Sequence, residues 1–380
     1  MRERTRYSVL VAKSHCQQMR ELLGDARLFD KRRRVEVEGD QARLPVVEQP
    51  SQQQSEAIRA VCSFSLVEAR RGEKTTDKKT NDIERLLARL AVALPVPLEA
   101  DLLQELPSCW EVYGDLLLLP SSALAGPHTA PHLPAILAAL TAVFRVRRVA
   151  RKLRVVADQF RSPHTELLIG TDGWVERKEN GIIYRLDLTR SMFSVGNISE
   201  KLRVAGLDCK GETVLDLFAG IGYFTLPYLV HAGAERLVCC EWNPASCEAL
   251  RLNLAAAGVA DRATVLQGDC RLVAPHGVAD RVNLGLLPSS ELAWPTACRA
   301  LRSKGGVLHV HGNAECERGW AGAGRAAWAE QTRESISRLL EQERGSSWNV
   351  ALLHVETVKS YAPHVLHLVA DLECRPPPPL

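Results

Sequence analysis

From about residue 200 onward the chain alternates short apolar runs with helix-patterned ones, and this alternation limits its possible folds more than any other feature. TVLDLF (213–218) reads as a buried strand, FTLPYLVHAG as a helix, RLVCCEW (236–242) as the next strand, and PASCEALRLNLAAAG (244–258) as a helix ending at a glycine cap. ATVLQGD, DRVNLGLL and GGVLHVHG supply further strands. Repeated β-α-β text predicts an α/β fold with a parallel, doubly wound, Rossmann-like sheet, whose ligands bind beyond the carboxyl ends of the strands. NVALLHVETVKSYAPHVLHLVADLEC then reads as two long strands with a short connection, so the sheet should close in an antiparallel hairpin.

The first strand-to-helix turn, DLFAGIGYF, carries the chemistry. The strand ends at Asp216, and Gly220 and Gly222 let the backbone turn tightly against a ligand. A dinucleotide fingerprint wants a third glycine where Phe224 and Thr225 stand, which disfavours NAD. Glu241 ends the second strand about 20 residues later, where a carboxylate can accept from two ribose hydroxyls. Gly268-Asp269-Cys270 ends the third strand, placed to meet an adenine edge. Turn, ribose acid and adenine contact, with the terminal hairpin, point to a class I S-adenosylmethionine (SAM) domain. Asp216, Gly220, Gly222, Glu241, Asp269 and Cys270 are its expected contacts.

Upstream the texture differs. YGDLLLLP (113–120) is strand-like, PAILAALTAVF (134–144) helical, and TELLIG (165–170), TDGWVERKENG and IIYRLDL (182–188) read as one hairpin ladder. This is a smaller α+β module over about 96–190, ahead of a catalytic domain over 191–375. Residues 1–95 are a variable, partly disordered region, interrupted by QPSQQQS (49–55) and RRGEKTTDKKTND (70–82), and 376–380 a disordered tail.

Net charge is only +3, so its distribution matters more than its sum. RVRRVARKLR (145–154) holds six cations and no acid: Arg145, Arg147, Arg148, Arg151, Lys152 and Arg154. That is a footprint of phosphate binding, with a solvated face as the plain alternative. KRRR (31–34) offers the same choice. Eleven cysteines without a CxxC pair suit reduced thiols, and no metal is expected. His309 and His311 share a strand face but lack a third ligand nearby. Trp174, Trp294 and Tyr361 could stack on bases, although packing is the commoner use of such residues. Lacking an apolar run of membrane length and an apolar leader, the protein is expected to be a cytoplasmic monomer.

RVRRVARKLRV, FSVGNISEKLRVA, DLFAGIGYFTLP, CEWNPASCEALRLNL, DRVNLGLLPSS and KSYAPHVLHLVADLEC together resemble the wybutosine-synthesis branch of a tRNA-modifying family, over roughly residues 100–375. Its other branch holds the tRNA (guanine-N1) methyltransferases of position 37. The resemblance implies transfer of the 3-amino-3-carboxypropyl group of SAM to C-7 of 4-demethylwyosine in the anticodon loop of phenylalanine tRNA, with release of methylthioadenosine. It implies SAM contacts at Ser194, Lys201, Glu241, Asp269 and Cys270, with Lys201 read as a partner for the methionine carboxylate. Two departures separate this chain from the methyltransferases. Gly196 stands where they carry an arginine, and Asn283 is followed by Leu284-Gly285-Leu286-Leu287-Pro288 instead of two prolines. Asn283, Ser289 and Ser290 are the candidates near the reacting atoms, and no general base is legible. A position-37 methyltransferase and a non-catalytic tRNA-binding subunit stay open as alternatives. The second would be expected to have lost Glu241 or Asp269.

Overall fold

The structure is a computed structural model that describes residues 7–12, 15–26, 28–29, 35–38, 40–59, 63–68, 78–153, 165–315, 321–362 and 364–377. Contacts divide the chain into two compact units, Met1–Leu87 and Ala88–Leu380.

The first unit contains β1 (Tyr7–Ala12), α1 (Cys16–Asp25), β2 (Glu36–Glu38), β3 (Gln41–Val46), α2 (Gln52–Arg59) and β4 (Ser65–Glu68). The strands form an antiparallel sheet in the order β2-β3-β1-β4. Alternate residues Val9, Val11, Leu44 and Val46 bury one face of it against Met19 and Leu23 of α1. The short apolar pieces between polar tracts are thus the strands of a small α+β fold. KRRR lies outside the described residues.

α3 (Lys78–Ala93) spans the division, and α4 (Ala100–Glu105), β5 (Glu111–Tyr113), β6 (Leu116–Leu119), α5 (Leu133–Phe144), β7 (Arg148–Lys152) and β8 (Thr165–Ile169) follow. β5-β6-β7-β8 is one sheet, with β6 and β7 parallel on either side of α5. TELLIG, read above as part of one ladder with the next two segments, is instead β8 and pairs with β7. Only β9 (Trp174–Glu179) and β10 (Ile182–Asp187) form the hairpin, turning at Asn180-Gly181, both with positive φ.

The remainder is α6 (Ile198–Ala205), β11 (Thr213–Asp216), α7 (Thr225–Val230), β12 (Arg236–Glu241), α8 (Pro244–Ala256), β13 (Ala263–Gln267), α9 (Cys270–Val273), β14 (Arg281–Leu284), α10 (Trp294–Ala300), β15 (Gly306–Glu315), α11 (Ala321–Arg344), β16 (Asn349–Ala362) and β17 (Val365–Arg375). Their sheet runs β13-β12-β11-β14-β15-β17-β16, parallel through β15, with β17 antiparallel to both its neighbours. The doubly wound sheet and its closing hairpin are as expected. Strand order reverses between β11 and β14, and that crevice at the carboxyl edge is where such folds bind ligands. One face of the sheet packs Val214, Leu237 and Leu250 with Tyr184 and Leu186 of the β9–β10 hairpin. The other packs Leu215, Val282 and Leu284 against Ala297 of α10 and Ile336 of α11. Among the described residues no helix is long and apolar enough to cross a membrane.

Candidate active site

A cavity of about 500 Å³ opens at the carboxyl ends of β11, β12, β13 and β14, a size usual for small-molecule sites. Its floor is the turn after β11. Gly220 (φ 57°) and Gly222 (φ 102°) hold backbone conformations that favour glycine. A Cβ on Gly220 would also collide with the Tyr223 ring. The Gly220 N–H donates to one oxygen of Glu241 and the Asn243 N–H to the other, both at 2.7 Å. Burial pushes the Glu241 carboxyl up, and the Asn243 and Gly220 amides oppose that by stabilising the charge. The carboxylate still lines the cavity and keeps lone pairs free for a diol.

Asp269 is the N-cap of α9, accepting from the Arg271 N–H at 2.9 Å, and the Arg271 guanidinium spans both its oxygens. That side-chain bond holds its carboxyl below the usual range. Cys270 is buried beside it, and both line the cavity with Ser194, Gly220 and Glu241. Five of the eight predicted cofactor contacts therefore line one cavity.

Three do not. Asp216 is fully buried beneath the turn, accepting from Thr225 Oγ1 at 2.8 Å and Asn283 Nδ2 at 3.0 Å. Burial pushes its carboxyl up against those bonds, and its work is to tie the turn to α7 and β14. Gly222 packs against Leu226 and Leu250. Lys201 is sealed off, with 2% of its side chain exposed. It donates to Glu179 at 2.7 Å and to the Ser194 carbonyl at 3.3 Å, and the rings of Phe193, Tyr184 and Tyr223 stand 4.8–5.3 Å from its ammonium. Burial pushes the ammonium down while Glu179 counters it. Lys201 thus holds the Ser194 segment in place from below.

Among the predicted reacting-end residues, Asn283 is wholly buried with its amide turned inward to Asp216, away from the cavity. Ser289 and Ser290 do line it. Ser289 Oγ accepts from the Glu291 N–H at 3.1 Å; Ser290 Oγ accepts from Trp294 Nε1 at 3.1 Å and donates to the His311 carbonyl at 3.4 Å. Both hydroxyls shape a loop, and no basic side chain is bonded to either among the described residues. His309 is bound to Asp371 and Arg281, and His311 to His367. No described group of His, Cys, Asp and Glu could hold a metal ion.

The apolar part of the lining was, Tyr361 apart, not predicted as a site. Met192, Trp242, Leu292 and Tyr361 give the cavity large, exposed apolar surfaces, suited to a planar ring. Of the three aromatics considered from sequence, only Tyr361 stands free there; Trp294 is buried and Trp174 packs on the core. Lys359 lines the same cavity, two residues before Tyr361 on β16. Alternation along a strand was the available signal for this pair.

The basic stretch leads into β7, an interior strand of the β5–β8 sheet, and most of it is internally paired. Arg148 is 16% exposed and binds Asp115 and Asp172 at 2.6 and 2.8 Å as well as the Trp174 carbonyl at 2.9 Å. Arg151, also 16% exposed, binds Glu166 at 2.8 Å and the Leu124 carbonyl at 2.5 Å. Lys152 pairs with Glu111. Arg145 is exposed, as is Arg147, although the latter meets Asp115 at 2.9 Å. Arg154 lies outside the described residues. Arg148, Arg151 and Lys152 are structural ties, because the acids that neutralise them come from neighbouring strands and turns.

Residues 175–318 match the TRM5/TYW2 methyltransferase domain and residues 91–173 the TYW2 N-terminal domain. The chain is 39% identical to the tRNA wybutosine-synthesizing protein 2 homolog of Homo sapiens, across 95% of this chain and 93% of that protein. It is 46% identical to the tRNA wybutosine-synthesizing protein 2/3/4 of Arabidopsis thaliana across 73% of this chain, yet spans only 27% of that longer protein. A solved structure of P. horikoshii TYW2 in complex with MeSAdo superposes with a TM-score of 0.59 at 29% identity, covering 77% of this chain and 98% of that one.

Proposed function

We propose, from the premise that this chain belongs to the family of tRNA wybutosine-synthesizing protein 2 homologues, that it transfers the 3-amino-3-carboxypropyl group of SAM to C-7 of 4-demethylwyosine at position 37 of phenylalanine tRNA. The Glu241 carboxylate, held by the Gly220 and Asn243 amides, would receive the ribose hydroxyls. Asp269 and the Cys270 backbone would serve the adenine edge. The related P. horikoshii protein's complex with MeSAdo supports an adenosine ligand in this crevice.

The observation that carries the choice of reaction is Asn283. A methyl transfer to a ring nitrogen needs a polar group that orients that nitrogen and its proton. Here the amide donates to Asp216 inside the protein at 3.0 Å, and the wall beside it is Gly285, Leu286 and Leu287. An apolar wall suits a carbon nucleophile, which needs position more than polarisation.

When bound, SAM supplies a sulfonium flanked by three electrophilic carbons, and the protein selects one by placement. With the γ-carbon in line, the C-7 to γ-carbon bond forms as the sulfur–γ-carbon bond breaks. The electron pair stays on sulfur, leaving neutral methylthioadenosine, and the ring sheds its proton to water. Glu241, Asp269 and Cys270 bind and orient; none forms a covalent intermediate. Exposed Arg145 and Arg147 are the proposed phosphate contacts of the 96–190 module, and we place the enzyme in the cytoplasm. Chromatography of the nucleoside product tests the reading: methylthioadenosine must accumulate with turnover, and S-adenosylhomocysteine in its place would refute it.

A further inference from the structure

Lys359 is a half-buried cation on the cavity wall, and among the described residues no carboxylate pairs with it. The other lining cation, Arg271, is already taken by Asp269. The placement of Lys359 is built in. Register shifts in the β16–β17 ladder fall between Thr357 and Lys359 and between Ser360 and Ala362, so bulges flank it and re-aim residues 359 and 361 toward the cavity. The start of α6, just after the turn that holds Gly196, is tied to β16 by the Ser199 hydroxyl, which donates to the Val358 carbonyl at 3.3 Å. Gly196 in that turn has no positive φ to explain it, but a Cβ there would run into Lys359 Nζ and its neighbouring carbons. The glycine keeps open the space that the ammonium fills. Beside it, Asn197 lines the cavity, and its buried Oδ1 has no hydrogen-bond partner among the described residues.

A cation without an acid and, one residue on from the glycine that lies against it, an acceptor without a donor match the two charged ends of an α-amino acid. Resting on the SAM reading above, we propose that Lys359 and Asn197 form the subsite for the amino-acid end of the methionine chain. Lys359 pairs with the α-carboxylate and Asn197 Oδ1 accepts from the α-ammonium. Lys201, the residue the sequence offers for that carboxylate, is spent on Glu179 and lies off the cavity wall. Gripping this end leaves the γ-carbon as the mobile, reactive link between two fixed groups.

Methylthioadenosine has the adenosine but lacks the amino-acid end and the sulfonium charge, so S-adenosylhomocysteine, a thioether that keeps the amino-acid end, is measured beside SAM and must lose affinity as SAM does. Calorimetry on Lys359→Met should show SAM affinity reduced tenfold or more, since charge-assisted hydrogen bonds are the strong ones, with methylthioadenosine affinity within twofold of wild type. Gly196→Ala, which displaces the ammonium without removing it, should give the same contrast at smaller size. Equal loss for SAM and methylthioadenosine, or loss for neither, overturns the proposal. Unchanged SAM affinity with weakened tRNA binding would assign Lys359 to a phosphate and overturn it as well. The contrast is independent of which carbon is transferred, so it can fail while the transfer reading stands. Methyl transfer by the wild type, conversely, would refute that reading and leave the subsite intact.

Discussion

Lys201 and Glu179 form an ion pair of 2.7 Å with 2% and 8% of their side chains exposed, joining α6 to the β9–β10 hairpin. Neither charge has water to fall back on; Glu179 keeps Arg177 at 3.0 Å when Lys201 is removed, whereas removing Glu179 strands the Lys201 ammonium. Glu179→Leu should destabilise the protein by about 3–5 kcal/mol, measured by denaturant unfolding. The double variant Lys201→Met, Glu179→Leu should recover much of the loss. A single variant as stable as wild type would show that the pair is solvated.

Glu241→Ala should lower SAM affinity at least tenfold, because it removes charge-assisted bonds of about 1.5–3 kcal/mol each. Calorimetry on the folded variant checks this. Unchanged affinity would move the ribose contact elsewhere.

Asn253 fixes the hairpin to the ligand turn. Fully buried, it accepts from the Arg185 N–H at 2.7 Å and donates to the Arg185 and Ile221 carbonyls, both at 3.0 Å. Leucine has a similar volume but no polar atoms, so Asn253→Leu leaves three backbone groups unpaired, at about 1–3 kcal/mol for each one left buried. Unfolding should show a loss of several kcal/mol, and a near-neutral effect would contradict this role.

Stability should fall on mild acidification. Burial, reinforced by the Lys359 charge, pushes His367 down to about 4, while the unfolded value is about 6.5. Between those values the unfolded chain binds the extra proton, so stability declines as pH drops from about 6.5 to 4. His367→Gln should flatten the urea midpoint against pH over that window. An unaltered slope would assign the titration to another group.

The basic stretch separates two roles. If Arg145 and Arg147 contact phosphate, their double alanine variant should flatten the salt dependence of tRNA binding by about 0.7–0.9 log unit per contact. Arg148→Ala should instead cost stability, because Asp172 loses its cation, Asp115 loses one of its two, and the Trp174 carbonyl loses a donor. Equal salt slopes for wild type and the double variant would place tRNA recognition elsewhere.

What the sequence made legible was local. The run from β11 through its glycine turn to α7, and Glu241 at the end of β12, depend on spacing within about 30 residues, and the structure places them as read. What it hid was pairing at long range. A cluster of cations looks free until Asp115, Glu166 and Asp172 arrive from other strands and turns. Lys201 looks solvated until the hairpin brings Glu179 to it. Lys359 looks like any strand lysine until the missing side chain of Gly196 reveals what fills that space.

The central claim is the identity of the transferred group, and labelled SAM tests it most directly. The protein is incubated with tRNA bearing the tricyclic precursor and SAM labelled either in the methyl or in the carboxyl carbon. Carboxyl label must enter the tRNA while methyl label leaves with methylthioadenosine. Methyl label in the tRNA, with none from the carboxyl carbon, would contradict the account.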